Sequence, residues 1–122
     1  MKKRILVIED SMELSNSLLE IFDVEGFEAI TAANGIEGVR AAKMQHPDLI
    51  LCDIMMPELD GYGVVEALQQ DPQTANIPIV FLTAKQEKGD LEHAAALGIT
   101  DYIIKPFDVA EMLSTVFKYI RP

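Results

Sequence analysis

Asp53 directly follows the apolar run Leu49, Ile50, Leu51, Cys52, which places a carboxylate where a buried strand opens into a loop. An unpaired charge is costly to bury there, so this side chain must meet a cation, a metal or a substrate. Three other segments end in a similar way. Glu9 and Asp10 close the apolar run Ile5 to Ile8, Thr83 closes Ile79 to Leu82, and Lys105 closes Tyr102 to Ile104. Clustered carboxylates repel one another and raise at least one pKa, so a site built from Glu9, Asp10 and Asp53 requires positive charge. With oxygen ligands and neither histidine nor thiolate among them, a hard dication such as magnesium or manganese is favoured over zinc. One dication plus the Lys105 ammonium offsets three carboxylates and leaves a near-neutral pocket able to receive a phosphoryl group. Asp53 is then the candidate nucleophile, with Lys105, the Thr83 hydroxyl and a backbone N–H near Ala84 neutralising the equatorial oxygens.

Each residue also has a plainer reading. Asp10 with Glu13, and Thr83 with Gln86, have the spacing of capping pairs. Lys105 before Pro106 could be a solvated loop lysine, Glu9 an exposed charge ending a strand, and Asp53 the opening of a turn with Pro57, Asp60 and Gly61. Those readings would have to coincide at four strand ends of the same polarity, each with a residue type suited to one reaction.

The elements that must position these residues follow a simple alternation. Short aliphatic runs at Ile5 to Ile8, Glu28 to Ala32, Leu49 to Cys52, Ile79 to Leu82 and Tyr102 to Ile104 read as strands, the second the weakest and a candidate edge. Between and after them, Met12 to Glu25, Gly35 to Gln45, Tyr62 to Gln70, Lys88 to Leu97 and Val109 to Ile120 read as helices. Asp108 and Glu111 form a capping box for the last, and Gly26 and Gly98 close two others as left-handed caps. Pro47, Pro72 and Pro78 punctuate loops. This pattern predicts an α/β fold with a parallel sheet, whose carboxyl-terminal strand ends share one edge and form the ligand site.

With 122 residues, 49% of them apolar, the chain has room for one domain spanning residues 1–122. A formal net charge of -10 argues against direct nucleic-acid binding and favours proteins or cations as partners. Cys52 is the single cysteine, which excludes an internal disulfide and suits a reducing compartment. No run approaches the roughly 20 apolar residues of a membrane span, and the basic start Lys2, Lys3, Arg4 leads into an apolar stretch too short for export. A cytoplasmic location without membrane contact is expected.

Over essentially its whole length the sequence resembles the receiver domain of two-component response regulators, including single-receiver chemotaxis regulators. The resemblance rests on Ile8, Glu9, Asp10; on Asp53, Ile54, Met55, Met56, Pro57 with Asp60 and Gly61; on Leu82, Thr83, Ala84; and on Lys105, Pro106, Phe107. It implies a flavodoxin-like (βα)5 sandwich with strand order 2-1-3-4-5, and Asp53 as phosphoacceptor from a histidine kinase or a histidine phosphotransfer protein. It further implies magnesium, or manganese, between Asp10, Asp53 and the Met55 main-chain carbonyl, with Glu9 acting through water. Lys105 would pair with Asp53 and then with the phosphoryl group, beside a cis bond to Pro106. Thr83 and Tyr102 would form a switch pair that remodels the surface of the fourth helix, fifth strand and fifth helix, where a downstream protein or a homodimer partner docks. Beyond its own phosphotransfer and slow autodephosphorylation, no enzymatic activity is implied.

Glu9 stands where the family often has aspartate, which lengthens one arm without removing charge. Met55 and Lys85 lie where the family tunes access of hydrolytic water, and neither offers a carboxylate or amide to orient it, so slow self-dephosphorylation is expected. A flavin carrier of the same fold would need a serine-, threonine- or glycine-rich loop after the first strand, where Glu9, Asp10 and Glu13 would repel a phosphate. An aspartyl-phosphate phosphatase would need an acid at Met55. A receiver that only docks, without phosphorylation, is opposed by the complete residue set. The chain ends at Pro122 without an output domain, consistent with a stand-alone regulator, a relay shuttle or a fragment.

Overall fold

The computed structural model describes residues 1–84 and 88–122, with side chains described in all of these except 88 and 89. Ten elements alternate along the chain: β1 (Arg4–Ile8), α1 (Met12–Val24), β2 (Glu28–Ala32), α2 (Gly35–Gln45), β3 (Leu49–Asp53), α3 (Gly61–Gln69), β4 (Ile79–Thr83), α4 (Lys88–Ala96), β5 (Tyr102–Ile104) and α5 (Val109–Val116). The strands pair in parallel in the order β2-β1-β3-β4-β5. All five C-terminal strand ends therefore share one edge, and β2 is an edge strand.

Alternation along the strands divides the core in two. Leu6, Ile8, Ile50, Cys52 and Phe81 face α2, α3 and α4, which contribute Ala42, Val64, Val65, Leu68 and Ala94. Ile5, Val7, Leu49, Leu51, Val80 and Leu82 face α1 and α5, which contribute Leu18, Phe22, Met112 and Val116. Strands buried on both faces need apolar residues at every position, which is why their runs are continuous.

Apart from the end of α5, the helix ends fall within one residue of expectation, and three features of their capping and termination differ from it. Ser11 caps α1, its side chain accepting the Leu14 N–H at 3.3 Å, so the capping role considered for Asp10 is not the one observed. The Asp108 carboxylate accepts the Ala110 N–H at 2.9 Å, a shorter cap than the box with Glu111. The fifth helix stops at Val116, four residues before Ile120. Lys118 and Tyr119 donate to the Thr115 and Val116 carbonyls three residues back, which tightens the last turn, and Ile120 still reaches the core. Gly26 and Gly98 have φ of 93° and 85°, as left-handed caps require. The capping partner considered for Thr83, Gln86, lies outside the described residues.

Candidate functional site

Two strand ends, those of β1 and β3, bring Glu9, Asp10 and Asp53 together, with one carboxylate oxygen of each within 4.8 Å of the others. Glu9 and Asp53 are buried and Asp10 is exposed. The backbone fixes each base. Glu9 N–H donates to the Ala32 carbonyl at 3.1 Å, extending the β1–β2 ladder by one residue. Asp53 is the last residue of β3, in register with Leu82, and its Oδ1 accepts the Met55 N–H at 3.2 Å. Ser11 takes the α1 cap, leaving the Asp10 side chain to the cluster.

Lys105 enters from the far side. Its N–H donates to the Thr83 carbonyl at 2.8 Å, and the bond from Lys105 to Pro106 is cis. The ammonium lies 2.6 Å from Glu9 Oε1 and 3.3 Å from Asp53 Oδ2. The expected pairing with Asp53 is therefore present, but the nearer partner is Glu9, whose other oxygen accepts the Ser11 N–H at 2.9 Å. Ser11 is a member of this network beyond the residues expected from sequence. The run Glu9, Asp10, Ser11 contains its signal, because a carboxylate two residues before an N–H can fold back upon it.

The electrostatics follow from burial and neighbours. Burial raises the Glu9 carboxyl above its ordinary value; Lys105 and Ser11 oppose this, while Asp10 and Asp53 add to it. Burial draws the Lys105 ammonium down, yet Glu9 and Asp53 outweigh it, so its pKa stands above the ordinary one. Two carboxylates within 4.8 Å repel by at least about 3 kcal/mol at an effective dielectric of 20. A single ammonium leaves a net charge of minus two. The donors are all oxygen, and the neighbouring Cys52 thiol is fully buried with its pKa pushed up by that burial, so it offers no thiolate. This donor set fits a hard divalent cation and disfavours a soft one.

The remaining predicted residues lie around this cluster. Thr83 ends β4 and is buried, and Ala84 follows it in an exposed position. Met55 is 78% exposed beside Asp53. Tyr102 is half-buried at the start of β5, packs against the core beneath α3 and α4, and donates to the Ile99 carbonyl at 3.4 Å. Lys85 lies outside the described residues. No helix among the described residues is long and apolar enough to cross a membrane.

The chain is similar to known proteins over nearly its whole length. The profile of the response regulator receiver domain matches residues 5–117. A probable transcriptional regulator ycf27 of Cyanophora paradoxa is 37% identical over 98% of this chain, which covers 49% of that protein. The chain thus spans about half the length of the first curated relatives it matches. The polar-differentiation response regulator DivK of Brucella ovis is 36% identical, with 98% of both chains covered. Among solved structures, the chemotaxis protein CheY4 of Vibrio cholerae superposes with a TM-score of 0.93 at 27% identity, covering 98% of this chain and 100% of its own. The receiver domain of sensor histidine kinase PA1611 from Pseudomonas aeruginosa, solved with magnesium coordinated in its active-site cleft, gives 0.88 at 31% identity over 98% of each chain. The parallel five-stranded order, the acidic cluster at its edge and the match over nearly the whole chain agree, and the chain belongs to the response regulator receiver domain family.

Proposed function

We propose that residues 1–122 form a single receiver domain that accepts a phosphoryl group on Asp53 from the phosphohistidine of a sensor kinase or histidine phosphotransfer protein. The observation that carries this reading is the convergence of Glu9, Asp10 and Asp53 with Lys105 at one sheet edge. In the transfer, an Asp53 carboxylate oxygen attacks phosphorus in line, the new O–P bond forms, and the N–P bond of the donor imidazole breaks. The imidazole leaves with the electron pair of that bond and takes up a proton from solvent. Lys105 meets a phosphoryl oxygen, and the Thr83 hydroxyl and Ala84 N–H meet the others.

Asp10, Asp53 and the Met55 carbonyl, with Glu9 through water, would hold a magnesium or manganese ion, which when bound would supply the charge neutralisation that lets two anions approach. The magnesium site of the related PA1611 receiver supports this assignment. Burial of Asp53 beside Lys105 keeps bulk water from the nucleophile until a donor docks.

The output is the surface formed by α4, β5 and α5, switched through Thr83 and Tyr102 and read by a downstream protein or a second copy. The domain acts in the cytoplasm and turns over no metabolite. Phosphotransfer from a small acyl phosphate, measured on the native chain and on Asp53→Asn with and without magnesium, tests the reading. Labelling confined to the native chain with magnesium is expected, and equal labelling of both proteins would overturn it.

A further inference from the structure

We infer that Met55 is an oxidation site: a hydroperoxide converts its thioether to a sulfoxide, and the sulfoxide shortens the phosphorylated lifetime of the domain. This rests on the reading of Asp53 as the phosphoacceptor. A single exposed methionine on a protein surface is ordinary, but Met55 is rooted in the site. Its N–H donates to Asp53 Oδ1 at 3.2 Å, and its neighbours Ile54 and Met56 are both buried, which pins the chain on either side of it. The residue is 78% exposed and belongs to neither half of the core. Its polarity can therefore change beside Asp53 while the fold stays intact.

Burial makes the reaction selective among the sulfurs of this chain. Met56 and Met112 are buried, so an oxidant reaches them only if the core opens. Cys52 is fully buried, and that burial pushes its thiol pKa up, so it offers no thiolate to a peroxide. Met1, Met12 and Met44 are exposed like Met55. Met1 precedes β1 and Met44 lies in the last turn of α2, both at the sheet edge opposite to Asp53, so they are controls of similar reactivity at a remote place. Met12 opens α1, next to Ser11 rather than to Asp53.

The sulfur lone pair attacks one oxygen of hydrogen peroxide; the S–O bond forms, the O–O bond breaks, and the proton of the transferred oxygen passes to the departing hydroxide, which leaves as water. Sulfur loses two electrons and the peroxide gains them. The product carries a strong hydrogen-bond acceptor where the native side chain has a weak one. In hydrolysis, water attacks phosphorus, the bond from phosphorus to the Asp53 oxygen breaks, the carboxylate leaves with that electron pair, and the surplus proton passes to solvent. An acceptor rooted two residues from Asp53 holds the attacking water. Oxidation thus resets the phosphorylated state, and reduction of the sulfoxide restores its lifetime.

In the test, the full chain is treated with hydrogen peroxide, freed of it, labelled with a small acyl phosphate and magnesium, and followed as the label decays. Peptide mass spectrometry should find oxygen added at Met55 and Met44 and none at Met56 or Met112. The oxidised native protein should lose its label about threefold faster or more, short of what a proton-accepting group supplies. Met44→Leu and Met12→Leu should keep that acceleration, Met55→Leu should abolish it, and a methionine sulfoxide reductase should reverse it. An unchanged decay in the oxidised native protein, or an acceleration that survives in Met55→Leu, would overturn the inference. A reduced chain that fails to label at Asp53 would defeat the functional reading and this inference with it, whereas a chain that labels but keeps its lifetime after oxidation defeats this inference alone.

Discussion

The rings of Tyr62 and His93 stack with 3.8 Å between centroids and 12° between planes, joining α3 to α4. The same Tyr62 ring meets Phe81 of β4 edge-on at 5.5 Å, and its hydroxyl donates to Asp90 Oδ1 at 3.3 Å. One side chain thus connects the strand that ends in Thr83 to two positions on α4. Tyr62→Ala should destabilise the domain by about 2 kcal/mol, between an exposed and a fully buried aromatic, whereas Tyr62→Phe should cost about 0.5 kcal/mol. Hydrogen exchange should quicken in α4 in the alanine variant. Exchange in α4 that matches the native chain would show that the helix is held by other contacts.

Gly61 allows the loop after Asp53 to turn back under α3. A Cβ at this position would lie 2.7 Å from the Asp53 carbonyl oxygen and 2.8 Å from Ile54 Cα, both backbone atoms with little freedom to yield. Gly61→Ala should cost about 1–3 kcal/mol and slow phosphorylation by displacing Asp53. Gly98, with φ of 85° and open space around it, provides the contrast. Gly98→Ala should cost about 1 kcal/mol through backbone strain alone and leave phosphorylation unchanged. Urea unfolding and acyl-phosphate labelling of the two variants check both halves.

The Tyr119 hydroxyl donates to the Asp101 carboxylate, with Lys118 Nζ at 3.0 Å on the other oxygen, tying the turn after α5 to the residue before β5. The Tyr119 bond is the main reason that Asp101 is held below its ordinary 3.8. Its stabilisation is therefore present above 3.8 and is lost as pH falls through the lower folded value. Burial first, and Asp101 second, push Tyr119 from 10.0 up to about 12, so its contribution is present below 10.0 and is lost as pH rises through about 12. Tyr119→Phe should flatten both limbs in urea midpoints measured across pH. Unchanged acid and alkaline limbs would remove this pair from the stability of the domain.

Met55 projects into solvent next to Asp53 and has neither a carboxylate nor an amide to orient an attacking water. The phosphorylated domain should therefore decay slowly. Met55→Asn should shorten its lifetime about tenfold or more by supplying a group that positions water. The decay of labelled protein with magnesium present gives the rate directly, and equal lifetimes would show that access at Met55 does not govern hydrolysis.

Much of this arrangement was legible in the sequence because parallel strands buried on both faces must be written as continuous apolar runs. Ile5 to Ile8 and Leu49 to Cys52 could hardly be read otherwise, and the order of acidic residues, Thr83 and Lys105 after such runs placed them on one edge. Helix ends were less legible. Asp10 and Ser11 are both good caps, and the sequence does not say which oxygen turns toward the first turn. The end of α5 was overrun because Phe117 and Ile120 continue the apolar stripe through a tighter turn. The pairing of Lys105 with Glu9 as well as Asp53 joins residues from separate strand ends, which local pattern does not encode. The stack of Tyr62 on His93 joins residues from separate helices and left no sequence signal at all.

Reductive trapping tests the central role of Asp53 most directly. Borohydride converts an aspartyl phosphate to homoserine, so peptide mass spectrometry after treatment with an acyl phosphate and magnesium identifies the phosphorylated residue. Homoserine at position 53 in the native chain, absent without magnesium and absent from Asp53→Asn, is the expected result. Homoserine at Asp10 or another carboxylate, with position 53 unmodified, would contradict it.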